Sequence, residues 1–315
     1  MSVKPLDIAV MGAGGIGGYL AARLAAAGHQ LFLIARGSHL AALQSQGLTL
    51  RSELGDVQAI PAGVSDDPAA FGPMDYVIFT VKGQDSEAAA AALAPLVGPQ
   101  TTAIGFQNGL SGLEALGEAI GIDKVLAGVT YLPAVIEAPG VIRHTGSVDR
   151  FVFGEQSGPA SPRVTRLAEA LQQAGVSAEA VPDALAACWH KFIMLAPFSG
   201  LSALTRADLG DWRSVPETFA LYRAGMEEVA ALARAKGVPI AADIVETNVA
   251  FTLEKADPRT RGSMLSDLER GRPLELESLS GYVAREGARL GVATPVNAMI
   301  YGCLKPFVAG ATSAR

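Results

Sequence analysis

The stretch DIAVMGAGGIGGYLAARLAAAGHQLFLIA, residues 7–35, decides the fold. Residues 7–11 are a short, nearly all-apolar run of the kind that forms a strand covered on both faces. Gly12-Ala13-Gly14-Gly15-Ile16-Gly17 follows at once, then a run of helix formers ending at Gly28, then a second apolar run over residues 30–35. Strand, glycine turn, helix and strand in that order are what a dinucleotide-binding unit requires. Gly12 permits the tight turn off the strand, Gly14 lets the backbone approach a pyrophosphate, and Gly17 lets the helix pack closely on the sheet. The free N–H groups of the helix N-terminus then face the anion. Gly12, Ala13, Gly14, Gly15, Ile16 and Gly17 are therefore candidate cofactor-binding residues, with a purely structural turn as the alternative.

The end of the second strand decides which dinucleotide. NAD-binding units place an acid there, about twenty residues past the glycines, to hold the ribose 2′-hydroxyl. This chain has Ala35-Arg36-Gly37-Ser38-His39 and no acid. Arg36 is a planar, permanent cation suited to a 2′-phosphate, so NADP(H) is the expected cofactor; a solvated loop arginine is the alternative. Residues 74–81 and 101–106 read as further buried strands, followed by Lys82 and by Gln107-Asn108-Gly109. Residues just past the carboxyl ends of parallel strands meet ligands, which nominates Lys82 and Asn108 for the cofactor. A surface lysine and a turn-forming Asn-Gly account for the same residues equally well. Strands are expected again near residues 125–132 and 150–154, and a helix over 161–174.

Composition bounds the rest. The chain has 315 residues, half of them apolar and 18% charged, enough for two domains and too apolar for disorder. Its net charge of −6, without any run of Lys or Arg, argues against nucleic acid as a partner. Two cysteines, Cys188 and Cys303, make neither a disulfide framework nor a zinc site, no metal is expected, and both read as small buried hydrophobes. Asp7 and Gly12 interrupt any leader-like apolar run, and Pro95, Gly98 and Pro99 break the longest uncharged stretch, 88–113. A cytoplasmic protein without a membrane span is expected. From Asp183 onward strand-like runs fade and helices are predicted over 184–197, 216–236, 241–255, 273–290 and 295–308. The expected architecture is α/β, with a Rossmann-type domain over residues 1–182 and an all-helical domain over 183–315, Asp183 serving as a helix N-cap.

A nicotinamide needs a partner that polarises the carbonyl receiving the hydride and supplies a proton. His29 and His39 lie too near the glycine loop for that role. Lys191, inside the apolar segment 188–197, is the better candidate, because desolvation lowers an ammonium's pKa towards a useful range; a lysine snorkelling to solvent is the alternative. Ser263 could donate to a substrate carboxylate or hydroxyl and Glu275 could accept from a hydroxyl. Read blandly, Glu275 and Glu277 are solvated acids in the first turn of a helix after Pro273.

The order GAGGIGGYLAARLAAAGHQLFLIARGSHLAALQSQGLTL, VKGQDS, QNGL, CWHKF, RGSMLSDLERGRPLELESLSG and GVATPVN, spread over essentially the whole chain, resembles the ketopantoate reductase (2-dehydropantoate 2-reductase) family. The resemblance implies a Rossmann domain plus a helical domain, and NADPH-dependent reduction of a 2-keto acid, ketopantoate to pantoate in pantothenate and coenzyme A synthesis. It implies Lys191 as the catalytic lysine and Arg36 as the 2′-phosphate residue. Lys82, Asn108 and Ala134 would line the cofactor; Ser263 would bind substrate, and Glu275 would close over substrate and cofactor. The chain also departs from the family pattern. Leu195 stands where an asparagine one turn after the lysine is usual, Ser199 stands for a second, substrate-binding asparagine, and Ser280-Gly281 for an Asn-Gly. Loss of a hydrogen-bonding group changes substrate preference strongly. A paralogue reducing a more apolar 2-keto acid and a non-catalytic NADPH-binding regulator therefore stand as alternatives. The small-molecule substrate is the expected partner, and a homodimer is left open.

Overall fold

The computed structural model describes residues 4–310; the expectation of no leader rests in part on residues 1–3, outside the described residues. The chain divides into two compact units, one of residues 1–107 and 112–187, the other of 108–111 and 188–315. Besides residues 108–111, the second unit takes up the chain at Cys188, five residues after the expected start of the helical domain at 183. Val181 still donates to the Phe153 carbonyl, and Ala184 to that of Glu155, so this stretch stays tied to the first unit. Asp183 does not cap the next helix with its carboxylate, which accepts the Gly158 N–H at 2.8 Å instead.

Along the first unit run β1 (Asp7–Met11), α1 (Gly15–Ala26), β2 (Gln30–Ile34), α2 (Gly37–Gln46), β3 (Leu48–Ser52), β4 (Val57–Ala59) and β5 (Gly63–Ser65). There follow β6 (Tyr76–Phe79), α3 (Ser86–Ala91), β7 (Thr102–Gly105), α4 (Ser111–Ile120), β8 (Val125–Tyr131), β9 (Ala134–Ala138), β10 (Val141–His144), β11 (Arg150–Gly154), α5 (Pro162–Gln173) and β12 (Ser177–Ala180). Among the described residues one sheet has the order β12-β11-β8-β7-β6-β1-β2-β5, parallel except for the β8–β11 pair. A second, four-stranded sheet, β4-β3-β10-β9, goes beyond the strands expected from the sequence. Its strands are short, and β9 is mostly exposed, so neither apolar runs nor clean alternation mark them.

The second sheet explains α1. That helix packs on β1 and β2 and also on all four strands of the smaller sheet. A helix covered on both sides must be apolar all round, and residues 17–22 and Leu24 are all buried. His29, just before β2, steadies the residue ahead of β1, its Nδ1 accepting the Leu6 N–H at 3.1 Å, and burial lowers its pKa.

The second unit is helical: α6 (Ala184–Thr205), whose first residues belong to the other unit, then α7 (Leu209–Arg213), α8 (Pro216–Ala235), α9 (Ile244–Glu254), α10 (Ser263–Glu269), α11 (Ser280–Leu290) and α12 (Pro295–Leu304). By length and composition alone α6 is apolar enough to cross a bilayer, and it escapes a search for uncharged runs because Lys191 interrupts it. Trp189, Phe192, Ile193 and Ala196 of this helix lie in the core, and Trp189 and Phe192 pack with Tyr282 of α11. Cys188 is buried, but Cys303 is exposed, correcting the expectation for it. The helix expected from residue 273 begins only at Ser280, because residues 275–279 form turns.

Glu228 of α8 holds the unit's last long helix in place. Its buried carboxylate accepts the N–H groups of Val296 at 2.6 Å and Asn297 at 2.9 Å, and the Asn297 side-chain amide at 2.7 Å. An anion at a helix N-terminus is favoured by the orphan N–H groups and the dipole. Glu228→Ala strands these donors in the interior and is expected to cost about 3 kcal/mol of stability, with Glu228→Gln costing less. The shift in urea midpoint measures both.

Candidate active site

The turn after β1 is built from backbone. Gly12 has φ +98°, a conformation that disfavours side chains, and a Cβ there would lie 2.8 Å from the Val81 nitrogen. The Gly12 and Ala13 N–H groups both donate to the Ile34 carbonyl at 3.2 Å, and Gly14 donates back to Gly12 at 2.8 Å. Thr80, just past β6, donates its hydroxyl to the Gly12 carbonyl at 2.8 Å. A side chain on Gly17 would overlap that carbonyl and that hydroxyl, so α1 can start here only with glycine. Gly14 differs, since no heavy atom lies within 4 Å of where its Cβ would be. No side chain caps α1, which leaves the first-turn N–H groups of Gly15, Ile16 and Gly17 to be satisfied from outside the helix.

Other sequence-nominated residues gather at this turn. The Ala134 carbonyl, at the start of β9, occupies the place a Gly15 side chain would need. Arg36 follows β2 after Ala35, is exposed, and stands at the N-cap of α2. No acid ends β2. Lys82 follows β6 and is exposed. Bare backbone at Gly14, an uncapped helix N-terminus and an adjacent guanidinium fit the phosphates of a dinucleotide.

The second unit holds the lysine. Lys191 is partly buried on α6 and donates to Asn108 Oδ1 at 2.9 Å. Burial lowers its pKa from 10.5 to about 8, although Cys188 and then Glu275 pull it back up. Glu275 is only 6% exposed, so it is not the solvated first-turn acid of the bland reading; the neighbouring Glu277 is partly exposed and paired with Lys305 and Arg285, but it too precedes the helix. Leu195 and Ser199 lie one and two turns beyond Lys191 on the same face by helical period. Ser199 is fully buried, its Oγ without a hydrogen-bond partner among the described residues. Ser263 is exposed at the first turn of α10, directly after Gly262, which packs against Ser199 and Ser202. Among the described residues no group of three or more His, Cys, Asp or Glu could hold a metal.

Asn108, nominated for the cofactor, also touches the lysine, its side-chain oxygen accepting from Lys191. Sequence reasoning missed Gln107, whose amide donates to the Val81 carbonyl at 2.6 Å and to Ser86 at 2.8 Å, bracing the segment from which Lys82 projects. It also passed over Thr80. Neither carries a motif signal, since each acts on backbone that only the folded chain brings near.

Residues 8–158 match the family model described as ketopantoate reductase PanE/ApbA, and residues 183–308 the model for its C-terminal part. A 2-dehydropantoate 2-reductase of Mesorhizobium japonicum is 35% identical over 92% of this chain and 94% of its own. A PanE/ApbA family ketopantoate reductase from Ralstonia eutropha JMP134 superposes with a TM-score of 0.86 at 32% identity, covering 95% of this chain and 97% of that one. D-Mandelate dehydrogenase, solved with NADH and anilino(oxo)acetate, has a TM-score of 0.85 over 95% of this chain and 97% of its own. At 19% identity that likeness is one of fold.

Asn108→Ala removes an acceptor that favours the charged lysine, so the Lys191 pKa is expected to fall below its present value of about 8. A side-chain NMR titration, with Lys191→Arg to assign the signal, reads the shift; a rise or no change contradicts the role of Asn108.

Proposed function

We propose that this chain, which belongs to the ketopantoate reductase family, reduces ketopantoate (2-dehydropantoate) to pantoate with NADPH, a step towards pantothenate and coenzyme A. Family membership makes the chain a nicotinamide-dependent oxidoreductase acting on CH–OH groups through reduction of a keto acid. Ketopantoate itself, NADPH and the residue roles are the proposal. The observation that carries it is Lys191, partly buried, held by Asn108 and brought to a pKa of about 8.

Residues 12–17, Ala134 and Lys82 would hold a dinucleotide that, in its reduced form, supplies the hydride taken up by the keto carbon. Lys191, as the ammonium, donates a hydrogen bond to the keto oxygen, polarises it and passes on a proton as the oxygen gains charge. Near pH 7 a group of pKa about 8 is still mostly protonated, yet gives up its proton more readily than an ordinary lysine. Asn108 aims the ammonium, and Glu275 supports its charge. Ser263 and Ser199 bind substrate; residues 12–17, Ala134 and Lys82 hold the dinucleotide, and Arg36 takes the 2′-phosphate. A second reading rests on Leu195, a hydrocarbon side chain one turn from Lys191, which favours a more apolar 2-keto acid.

Loss of the cofactor's reduced-form absorbance is expected to be rapid with NADPH plus ketopantoate and slow with NADH. Lys191→Ala should lower kcat by about a hundredfold or more. Reduction requires protonated lysine, so kcat should hold below the lysine's pKa of about 8 and decline above it, while the reverse oxidation rises through the same pH. Turnover of unbranched or aromatic 2-keto acids in place of ketopantoate selects the second reading. Equal use of NADH removes the role given to Arg36, and unchanged kcat in Lys191→Ala overturns the mechanism.

A further inference from the structure

His39 lies in the first turn of α2, three positions past Arg36, and its ring is partly buried. Both ring nitrogens are engaged with backbone. Nδ1 accepts the Gly140 N–H at 3.0 Å, and Nε2 lies 2.8 Å from the Ala13 carbonyl oxygen. A backbone N–H can only donate and a carbonyl oxygen can only accept, so the ring must carry its single proton on Nε2. Three segments distant in sequence meet on this one imidazole: the glycine turn, the helix that begins at Arg36, and the turn joining β9 to β10.

Each contact bears on the cradle. The Ala13 carbonyl belongs to the peptide that leads into Gly14, the position whose surroundings are open, so fixing that oxygen fixes the plane the bare backbone presents. The hairpin held through Gly140 begins at Ala134, whose carbonyl packs on Gly15. The helix that supplies the ring is the one Arg36 caps. Phosphate recognition by backbone and by a guanidinium depends on orientation more than on added contacts, so a group that orients both governs affinity.

We propose that His39 is a positioning residue for the dinucleotide: as a neutral ring it locks the glycine turn, the Arg36 helix and the β9–β10 hairpin into one cradle. Its loss weakens dinucleotide binding and narrows the preference for NADPH over NADH, while leaving the acid chemistry at Lys191 in place. This rests on the NADPH reading above.

The test measures Kd for NADPH and NADH by calorimetry on the full chain, wild type against His39→Ala, His39→Gln and His39→Asn, with kcat at saturating dinucleotide and ketopantoate alongside. In His39→Ala the Kd for NADPH rises about tenfold, the NADPH-to-NADH ratio narrows and kcat changes less than about twofold. Gln sets an amide N–H near the Nε2 position and keeps the donor to Ala13, so it recovers most of the affinity; Asn keeps the acceptor for Gly140 and recovers less. His39→Ala binding NADPH like wild type overturns the proposal, as does a fall in kcat at unchanged Kd. If His39→Ala does not fold, equal affinities for the Gln and Asn variants overturn it. Wild type that does not prefer NADPH defeats the NADPH reading and this inference together, whereas a preference intact in every variant defeats this inference alone.

Discussion

How closely backbone can approach backbone around residues 12–17 is the constraint on which the first unit depends. The turn off β1 is squeezed between the Ile34 carbonyl at the end of β2 and the Thr80–Val81 segment at the end of β6. The hairpin strand β9 closes on it from a third direction through Ala134. Any side chain at Gly12 or Gly17 pushes at least one of these away. The crowding that bars side chains at Gly12 and Gly17 ends at Gly14, around which no heavy atom lies within 4 Å of where a Cβ would stand, so close packing of α1 and open backbone occur side by side in one turn. The second sheet follows from it as well, because a helix this apolar requires cover on its far side, which β3, β4, β9 and β10 provide.

In the second unit the opposing forces are burial and charge. A fall in the Lys191 pKa from 10.5 to about 8 means that its surroundings disfavour the ammonium by about 3 kcal/mol relative to water. That is a large sum against the total stability of a domain. Cys188 and then Glu275 oppose it by charge without cancelling it, and Asn108 accepts a hydrogen bond from the ammonium. Full compensation would restore an ordinary lysine, ionised but a poor proton donor. The unit tolerates an unfavourable charge at this one position, while the buried carboxylate of Glu228 is satisfied by the N–H groups of Val296 and Asn297 and by the Asn297 amide.

The elements legible in the sequence are those whose residues interact with near neighbours in the chain. β1, α1 and β2 appear with their glycines because strand, turn and helix signals lie within 35 consecutive residues. Arg36 and Lys82 could be placed for the same reason, each next to the strand that positions it. Illegible were the features made by distant segments. β3 and β10 pair in parallel across a long separation, and neither has a distinctive pattern. Glu275 looked like a helix-start acid because Pro273 precedes it, yet the helix waits until Ser280 and the carboxylate is buried. Asn108 was read from its place after β7, while its partner is fixed by α6. His39 was set aside for lying near the glycine turn, and that proximity is where its two backbone contacts come from.

On the proposed reading, α6 separates chemistry from preference along one face. Cys188, Lys191, Leu195, Ser199 and Ser202 recur there at helical spacing. The acid depends on local desolvation and on Asn108, neither of which involves the side chains one and two turns further on. A change at Leu195 or Ser199 therefore alters what a substrate meets without altering the group that protonates it. A hydrocarbon rejects a polar substituent only weakly, whereas a buried hydroxyl left unpaired penalises a substrate that cannot satisfy it. Ser199 Oγ is such a hydroxyl, buried and without a partner among the described residues, and Leu195 lies between it and the lysine. On that reading, discrimination at this face rests on whether the substrate carries a polar group that satisfies Ser199 Oγ, with Leu195 presenting hydrocarbon one turn from the lysine.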